Sequence, residues 1–329
     1  MDSTTKQNLI NQIIEKIHNS SFIALAGHVS PDGDSVASCL ALAMSINKLG
    51  KSTVVLLEEI PVRYKAIIGR CDFVKTTTPC EIPDLFISCD CASKERMGKF
   101  EELFDKTQET IVIDHHISNI GYAKINFIDA NASSASEMVF DVIDAIGNMD
   151  KAIASAIYAG IIFDTGALRF KSTSPRTMMK ISKLMEFGIP FDKIYADMML
   201  THSYQSAMIF AKAISKMKFV DGLPIIYSFI TKEEMDNAGA TRGDLEGAVG
   251  YMLNTEGAEV SVLVSEVSEN ESKASFRSHK FDVNTIASHW GGGGHVNASG
   301  ATIQAGAEAA LEQVLSLMYE RYNDANGGS

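Results

Sequence analysis

The sequence has no long hydrophobic run and no recognisable export leader. No stretch approaches the roughly 18 consecutive apolar residues of a membrane-spanning helix, and the N-terminal segment MDSTTKQNLINQIIEKI is polar and amphipathic. We therefore expect no membrane association and a cytoplasmic location. Hydrophobic residues still make up 46% of the 329 residues, which is typical of a folded protein large enough for two domains.

Cysteine is also scarce. The five cysteines all lie in the first third of the chain, without the paired spacings of a zinc site or a disulfide framework. We expect reduced thiols that are mostly buried. Cys89 and Cys91 flank Asp90, and if this segment is a strand, alternation turns both sulfurs away from the face that carries Asp90.

Positive charge is in deficit. Lys and Arg number 29 against 41 Asp and Glu, which gives a formal net charge of −12. Proteins that coat long nucleic acids depend on Lys and Arg along many phosphates, so this class is disfavoured. A phosphate-containing substrate should therefore be short.

Residues 1–188 alternate strand-like apolar runs with helical periodicity, a pattern that predicts a parallel α/β sheet. The predicted strands are 21–28, 52–59, 84–90, 110–116 and 124–130. The predicted helices are 34–49, 61–68, 94–105, 133–147, 151–163 and 174–187.

The remaining chain divides into three parts. Residues 189–214 show a long helical pattern that suits a connector between domains. Residues 215–323 pair strand-like segments with helices near 243–254 and 306–323, which predicts a smaller C-terminal α/β domain with a mixed sheet. Residues 324–329 read as a disordered tail.

Acidic and histidine residues end four separate segments of the first domain. These segments are GHVSPDGDS, SCDCA, VIDHHIS and IIFDTG, which supply His28, Asp32, Asp34, Asp90, His115 and Asp164. Each segment alone has an ordinary explanation, since SPDGDS suits a turn and helix cap and a single Asp at a strand end often only accepts backbone hydrogen bonds. In an open parallel sheet, however, the carboxyl ends of the strands face one crevice, where several carboxylates repel one another unless cations neutralise them.

This donor set predicts two divalent metal ions. Carboxylates and imidazoles without thiolates favour manganese, with magnesium, cobalt, iron or zinc as substitutes. Paired ions of this kind clamp the oxygens of a phosphoryl group, so the chemistry implied is hydrolysis of a phosphoester or phosphoanhydride.

The motifs HVSPDGDS, CDCA, DHH and FDTG, in this order, resemble those of the DHH phosphoesterase superfamily. The segment SFRSHKFDVNTIASHWGGGGHVNASG resembles the DHH-associated domain, and the chain length resembles the oligoribonuclease and pAp phosphatase group, also called nanoRNases. The resemblance implies that Asp90 bridges two metals. It assigns His28 and Asp32 to one metal and Asp34, His115 and Asp164 to the other. Asp114 then orients its neighbours, and His116 faces the substrate phosphate.

The glycine run WGGGGHVNASG can be a plain linker, but its setting after a helix and before a strand favours a short ordered loop whose N–H groups bind an anion. Arg277 ends a predicted strand, where it either grips a phosphate or pairs with a nearby acid. The substrate-binding candidates are Arg277, Ser278, Gly292, Gly293, Gly294 and His295.

The sequence therefore predicts a two-domain enzyme that hydrolyses short oligoribonucleotides, pApA-type dinucleotides and 3′-phosphoadenosine 5′-phosphate. The metals lie in the first domain, and the second holds the nucleotide end of the substrate. The alternatives are a cyclic di-AMP phosphodiesterase, a pyrophosphatase or exopolyphosphatase, and a non-catalytic nucleotide sensor. A homodimer is compatible with the sequence, which does not decide the oligomeric state.

Overall fold

The computed structural model describes residues 2–59, 69 and 71–326, which fall into two units, Met1–Thr201 and His202–Ser329. The predicted helix at 61–68 lies outside the described residues. In the part of the chain that is described, no helix is both long and apolar enough to cross a membrane.

The first unit contains a six-stranded sheet in which every pairing is parallel, as the alternation of strands and helices predicts. The strand order is β3-β2-β1-β4-β5-β6. The strands are β1 (Phe22–Ala26), β2 (Ser52–Leu56), β3 (Val74–Lys75), β4 (Leu85–Cys89), β5 (Glu109–Asp114) and β6 (Ile125–Ile128). All five predicted strands form. The sheet also contains a two-residue edge strand, β3, that the sequence pattern does not predict.

Helices cover both faces of this sheet because alternate strand residues are apolar on each side. Ile23 and Ile87 join the larger core under most of the helices, whereas Phe86 packs on the opposite face with Phe100 and Phe104. The helices are α1 (Ser3–Asn19), α2 (Gly33–Lys48), α3 (Glu101–Lys106), α4 (Ala135–Ile146), α5 (Lys151–Asp164), α6 (Pro175–Glu186) and α7 (Phe191–Tyr195). A 3-10 segment, Lys94–Phe100, precedes α3.

The predicted single connector at 189–214 is instead two separate helical segments. Helix α7 runs into a π-helical turn, Ala196–Leu200, whose Met198 is buried in the core of the first unit. Helix α8 (Tyr204–Ser215) belongs to the second unit, where Ile209 and Ala213 are buried. The helical conformation is interrupted at residues 201–203 because each segment presents its apolar side chains to a different core.

The second unit contains a mixed six-stranded sheet, in agreement with the prediction. The strand order is β11-β12-β10-β9-β8-β7, with β8 and β9 parallel and the other pairs antiparallel. The strands are β7 (Lys218–Phe219), β8 (Ile225–Ile230), β9 (Val260–Ser268), β10 (Glu271–Ser278), β11 (Gly293–His295) and β12 (Ala298–Ile303).

The helices of the second unit are α9 (Lys232–Ala238), α10 (Ala248–Leu253), α11 (Val283–Ser288) and α12 (Ala307–Asn326). Helix α12 packs Val314 and Met318 into the core formed by β8, β9, β10 and β12. It continues through residues 324–326, so these three residues are helical and not the disordered tail that the sequence predicts. Residues 327–329 lie outside the described range.

Candidate functional site

Three neighbouring strands deliver the motif residues to one edge of the parallel sheet. His28 follows β1, Asp90 follows β4 and Asp114 ends β5, directly before His115. Strands β1, β4 and β5 are adjacent, so their carboxyl ends lie side by side.

The beginning of α2 adds two more carboxylates. Asp32 is the N-cap residue, and its Oδ1 accepts hydrogen bonds from the backbone N–H groups of Asp34 and Ser35, both at 3.0 Å. This leaves Oδ2 of Asp32 directed towards His28. The segment SPDGDS therefore caps a helix and also contributes Asp32 and Asp34 to the acidic cluster.

Asp34 is fully buried and is held by the N-terminus of α4. Its Oδ2 accepts from the backbone N–H of Ala135 at 2.6 Å, and its Oδ1 accepts from that of Ser136 at 2.9 Å. Unpaired N–H groups and the helix dipole at a helix N-terminus favour an anionic partner. The helix has its own cap in the preceding serine, since Ser134 is the N-cap of α4.

His28, Asp32 and Asp90 form the first cluster able to hold a cation. The Nε2 atom of His28 lies 3.7 Å from Asp32 Oδ2 and 3.6 Å from Asp90 Oδ2. Its Nδ1 donates to the carbonyl of Val29 at 2.7 Å, which leaves the Nε2 lone pair facing the two carboxylates.

Asp34, His115 and Asp164 form the second cluster. The Nε2 atom of His115 lies 3.0 Å from Asp164 Oδ2 and 3.4 Å from Asp90 Oδ1. Within each cluster the donor atoms lie within 4.8 Å of one another, and Asp90 also groups with His115 and His116. The structure thus brings together all six residues that the sequence assigns to metal binding, with Asp90 between the two clusters.

Asp90 itself has an unusual backbone. Its φ of 54° is in the left-handed region, which costs a non-glycine residue free energy and is concentrated at functional sites. Strand alternation therefore stops at Cys89, and the prediction that both cysteines point to one side is wrong. Cys89 packs in the larger core and Cys91 in the core on the opposite face of the sheet.

The clustered charges perturb one another strongly. Burial, followed by the carboxylates of Asp90 and Asp164, raises the pKa of Asp34 well above its usual range. Burial alone lowers the pKa of His115, but Asp164 and Asp90 outweigh it and raise this pKa to about 11. The site therefore has an excess of negative charge that attracts cations.

The donor set fits divalent metal ions. The Oδ1 atom of Asp90 is buried and accepts no hydrogen bond from any residue that the structure describes, although a buried carboxylate oxygen ordinarily has a partner. Oxygen and imidazole donors, gathered around such an oxygen, are ligands of hard or borderline cations.

Asp114 and His116 lie beside the clusters. Asp114 is fully buried, and its Oδ1 accepts from His116 Nδ1 at 2.8 Å. Burial raises the pKa of Asp114, but the hydrogen bonds from His116 and Asn119 outweigh it and lower this pKa below its usual value. His116 is partly exposed, so Nε2 of its ring is the atom left for a ligand.

Two glycines outside the predicted set of site residues allow this packing. A Cβ at Gly27 would lie 1.8 Å from Ser35 Oγ, and one at Gly160 would lie 2.0 Å from Ser136 Oγ and 2.7 Å from Asp34 Oδ1. Both glycines therefore permit close approach of the elements that carry the acidic residues. Nothing local in the sequence marks them, because the contacts are made by distant segments.

A buried ion network at the start of α4 also lies outside the predicted set of site residues. Glu137 is fully buried and accepts from Arg176 Nε at 2.6 Å and from Ser133 Oγ at 2.6 Å. Arg176 also donates to Asp129 at 3.0 Å, and Lys180 lies 3.6 Å from Glu137 Oε1. This network fixes the start of α4, whose N–H groups hold Asp34. The spacing of Ser134 and Glu137 resembles a capping box, but Glu137 bonds Ser133 instead.

In the second unit, Arg277 and His295 occupy one row of the sheet. Both are register partners of Ala298, Arg277 in β10 and His295 in β11. Cross-strand partners project on the same face of a sheet. Burial lowers the pKa of Arg277. No carboxylate in the described ranges pairs with it, so the alternative to phosphate binding, an ion pair with a nearby acid, is not observed.

Two other substrate-binding predictions need correction. The hydroxyl of Ser278 is buried and donates to the carbonyl of Phe281, so it is not offered to a ligand. The second half of the glycine run is not a loop, since Gly293 and Gly294 belong to edge strand β11. A Cβ at Gly292 or Gly294 would lie 2.3 Å or 2.4 Å from a carbonyl oxygen of β12, so glycine is needed for strand pairing.

The chain matches two family models. Residues 22–161 match the N-terminal domain of the DHH family, and residues 222–324 match the DHHA1 domain. The first range contains every predicted metal ligand except Asp164. The second range contains Arg277 and His295.

Similar proteins extend over nearly the whole chain. The "Bifunctional oligoribonuclease and PAP phosphatase NrnA" of Thermus thermophilus is 28% identical, covering 97% of this chain and 95% of the relative. The Bacillus subtilis protein of the same name is 26% identical, covering 91% of this chain and 94% of the relative. A solved exopolyphosphatase-related protein from Bacteroides fragilis superposes with a TM-score of 0.87 at 28% identity, covering 97% of both chains.

A more distant structure shares only the fold. RecJ from Thermus thermophilus, solved with Mn²⁺, has a TM-score of 0.53 at 12% identity and covers 94% of this chain and 53% of RecJ. The two family models, the relatives that extend over nearly the whole chain and the clustered acidic and histidine donors lead to one conclusion. The chain belongs to the DHH family of phosphoesterases, carries a DHHA1 domain after its DHH domain, and is a metal-dependent hydrolase.

Proposed function

We propose that the protein is a two-metal phosphoesterase that hydrolyses short oligoribonucleotides and 3′-phosphoadenosine 5′-phosphate (pAp) to nucleoside monophosphates. The observation that carries this proposal is the convergence of two donor clusters on Asp90. The names of the Thermus thermophilus and Bacillus subtilis relatives support the choice of substrates.

In this proposal, His28, Asp32 and Asp90 hold one divalent ion. A second ion is held by Asp34, His115 and Asp164, and Asp90 is shared between the two. Manganese is the preferred metal because the donors are carboxylates and imidazoles. When bound, two such ions activate water and stabilise negative charge on a phosphoryl group.

The remaining residues of this site bind and orient. His116 presents Nε2 to the phosphoryl group, and Asp114 keeps its ring in place through the 2.8 Å hydrogen bond to Nδ1. The N-terminus of α4 holds both oxygens of Asp34, so this ligand does not have to be ordered when the metal binds.

Arg277 and His295 are proposed to bind the part of the substrate that does not react. A guanidinium without a carboxylate partner can take a phosphate in a bidentate manner. Binding of long RNA requires many Lys and Arg contacts to phosphates, which a protein with a net charge of −12 does not favour. We therefore expect a substrate of a few nucleotides.

A second candidate activity is hydrolysis of phosphoanhydrides such as polyphosphate. It is favoured by the similarity to the Bacteroides fragilis protein, which is described as exopolyphosphatase-related. The same acidic clusters serve either reaction, so the substrate-binding residues decide between them.

A substrate panel tests the proposal. Initial rates of the full chain with Mn²⁺ would be compared on an RNA dinucleotide, an RNA 24-mer, pAp, cyclic di-AMP, pyrophosphate and polyphosphate. The dinucleotide and pAp should react fastest, and the Asp90→Ala variant should react with none of them. Faster release of phosphate from polyphosphate would establish the second candidate, and faster cleavage of the 24-mer would refute the preference for short substrates.

A further inference from the structure

Asn119 lies in the turn after His116 and is buried, with 7% of its surface exposed. Its Nδ2 donates to Asp114 Oδ2 at 2.7 Å and to the carbonyl of Cys91 at 3.1 Å. Its Oδ1 accepts from the backbone N–H of Gly121 at 2.9 Å. Because the Gly121 N–H can only donate, the amide orientation is determined by chemistry, and the amide hydrogens must face the two acceptors.

Asp114 is consequently held from both sides. One carboxylate oxygen accepts from His116 Nδ1 at 2.8 Å and the other from Asn119 at 2.7 Å. A carboxylate with a single hydrogen bond can rotate, whereas one that is fixed at both oxygens holds the plane of the imidazole bonded to it. The backbone N–H of Asn119 adds a bond to the carbonyl of His116 at 3.1 Å.

Asn119 also joins two strand ends that carry the donor clusters. Cys91 directly follows Asp90 at the end of β4, while Asp114 and His116 lie at the end of β5. The hydrogen bond to the Cys91 carbonyl therefore links the turn at Asp90 to the turn at His116. One amide therefore bonds both to the turn at Asp90 and to the carboxylate that holds the His116 ring.

We propose that Asn119 is a positioning residue for phosphoester hydrolysis, which holds Asp114 and through it the His116 ring with Nε2 towards the reacting phosphoryl group. This inference rests on the function proposed above. It assigns to Asn119 an effect on turnover that is separate from metal binding, because the side chain forms no hydrogen bond with any of the six proposed metal ligands.

Asn119→Asp is the informative substitution. It preserves the shape of the side chain but replaces the donor with a carboxylate oxygen that faces Asp114. Asn119→Ala removes the donor without adding charge. Asn126→Asp is the matched control, since the Asn126 amide donates to the Ala123 carbonyl at 2.7 Å and accepts from its N–H at 3.1 Å, without contacting Asp114.

Steady-state kinetics on bis-p-nitrophenyl phosphate with saturating Mn²⁺, together with the Mn²⁺ content of the full chain, measure the effect. Both Asn119 variants should lose roughly 10–100-fold in kcat, the range typical of residues that orient a catalytic group. Their KM should stay within about threefold of wild type, and their Mn²⁺ content and helical circular dichroism should be unchanged. Asn126→Asp should match wild type in every measurement.

The proposal is overturned if both Asn119 variants retain kcat within about threefold of wild type. It is equally overturned if they lose Mn²⁺ or helical signal in proportion to kcat, since Asn119 would then only maintain structure. These results differ from failure of the proposed function, in which the wild-type protein hydrolyses no phosphoester at all.

Discussion

Glu137 offers a quantitative test of the ion network that supports the metal site. Burial raises the pKa of this side chain, but Lys180, Ser133 and Arg176 outweigh that effect and lower the pKa from 4.5 to about 2. The Glu137 side chain is fully buried, so solvent screens these interactions less than it would at the surface. We expect Glu137→Gln, which removes the charge and keeps the shape, to lower the stability of the first unit.

The size of the effect follows from the pKa. A change from 4.5 to about 2 corresponds to about 3 kcal/mol of favourable interaction with the charged form. Because the pKa is lower in the folded state, this stability is fully present above pH 4.5 and is lost as the pH falls through about 2. The free energies of unfolding of wild type and variant should therefore differ by about 3 kcal/mol at pH 7 and converge near pH 2.

Hydrogen exchange of peptides from α4, measured between pH 7 and pH 3 and corrected for the intrinsic exchange rate, reports the local free energy of opening. Trp290 is the only tryptophan of the chain and packs against the core of the second unit. Its fluorescence during urea unfolding provides the internal control and should be the same in both proteins. A stability difference that stays constant over the pH range would refute the assignment of the low pKa to Glu137.

Three further predictions address the site. Asp90→Ala should abolish turnover and reduce the Mn²⁺ content below one ion per chain, and retention of two ions, measured by elemental analysis, would disprove its bridging role. Gly160→Ala should cost about 1–3 kcal/mol and weaken Mn²⁺ binding because the new methyl group overlaps Ser136 Oγ, and unchanged thermal unfolding would contradict this. Arg277→Ala should lower kcat/KM on a dinucleotide roughly 30-fold, the loss of a charged hydrogen bond of about 2 kcal/mol, with bis-p-nitrophenyl phosphate as the control substrate. Equal losses on the two substrates would exclude a substrate-holding role.

Much of the first unit follows from local sequence patterns. Its predicted strands are continuous apolar runs, which form wherever a parallel sheet is covered on both faces, and the order of motifs along the chain matches the order of strand ends. The six donors could be named without coordinates because each ends a predicted strand or borders a helix terminus. Their convergence then follows from the parallel arrangement.

Local patterns were misleading where a distant segment determines the conformation. The glycine run resembles a loop, but Gly293 and Gly294 pair with β12 in an edge strand because glycine allows the two backbones to approach closely. The connector has continuous helical periodicity, yet its two halves bury their apolar side chains in different cores and separate at 201–203. In both cases the local preference is weak compared with the free energy of packing.

The sequence alone determined the fold class and the family and predicted a set of six candidate donors, because strand periodicity and motif chemistry are properties of short segments. Only the tertiary structure decided how those donors are supported. The bond from Asn119 to Asp114, the hold of α4 on Asp34 and the ion pair of Glu137 with Arg176 join residues on different elements or turns. A polar residue in a turn reads as exposed until packing buries it, and only then must each of its hydrogen-bonding atoms find a partner.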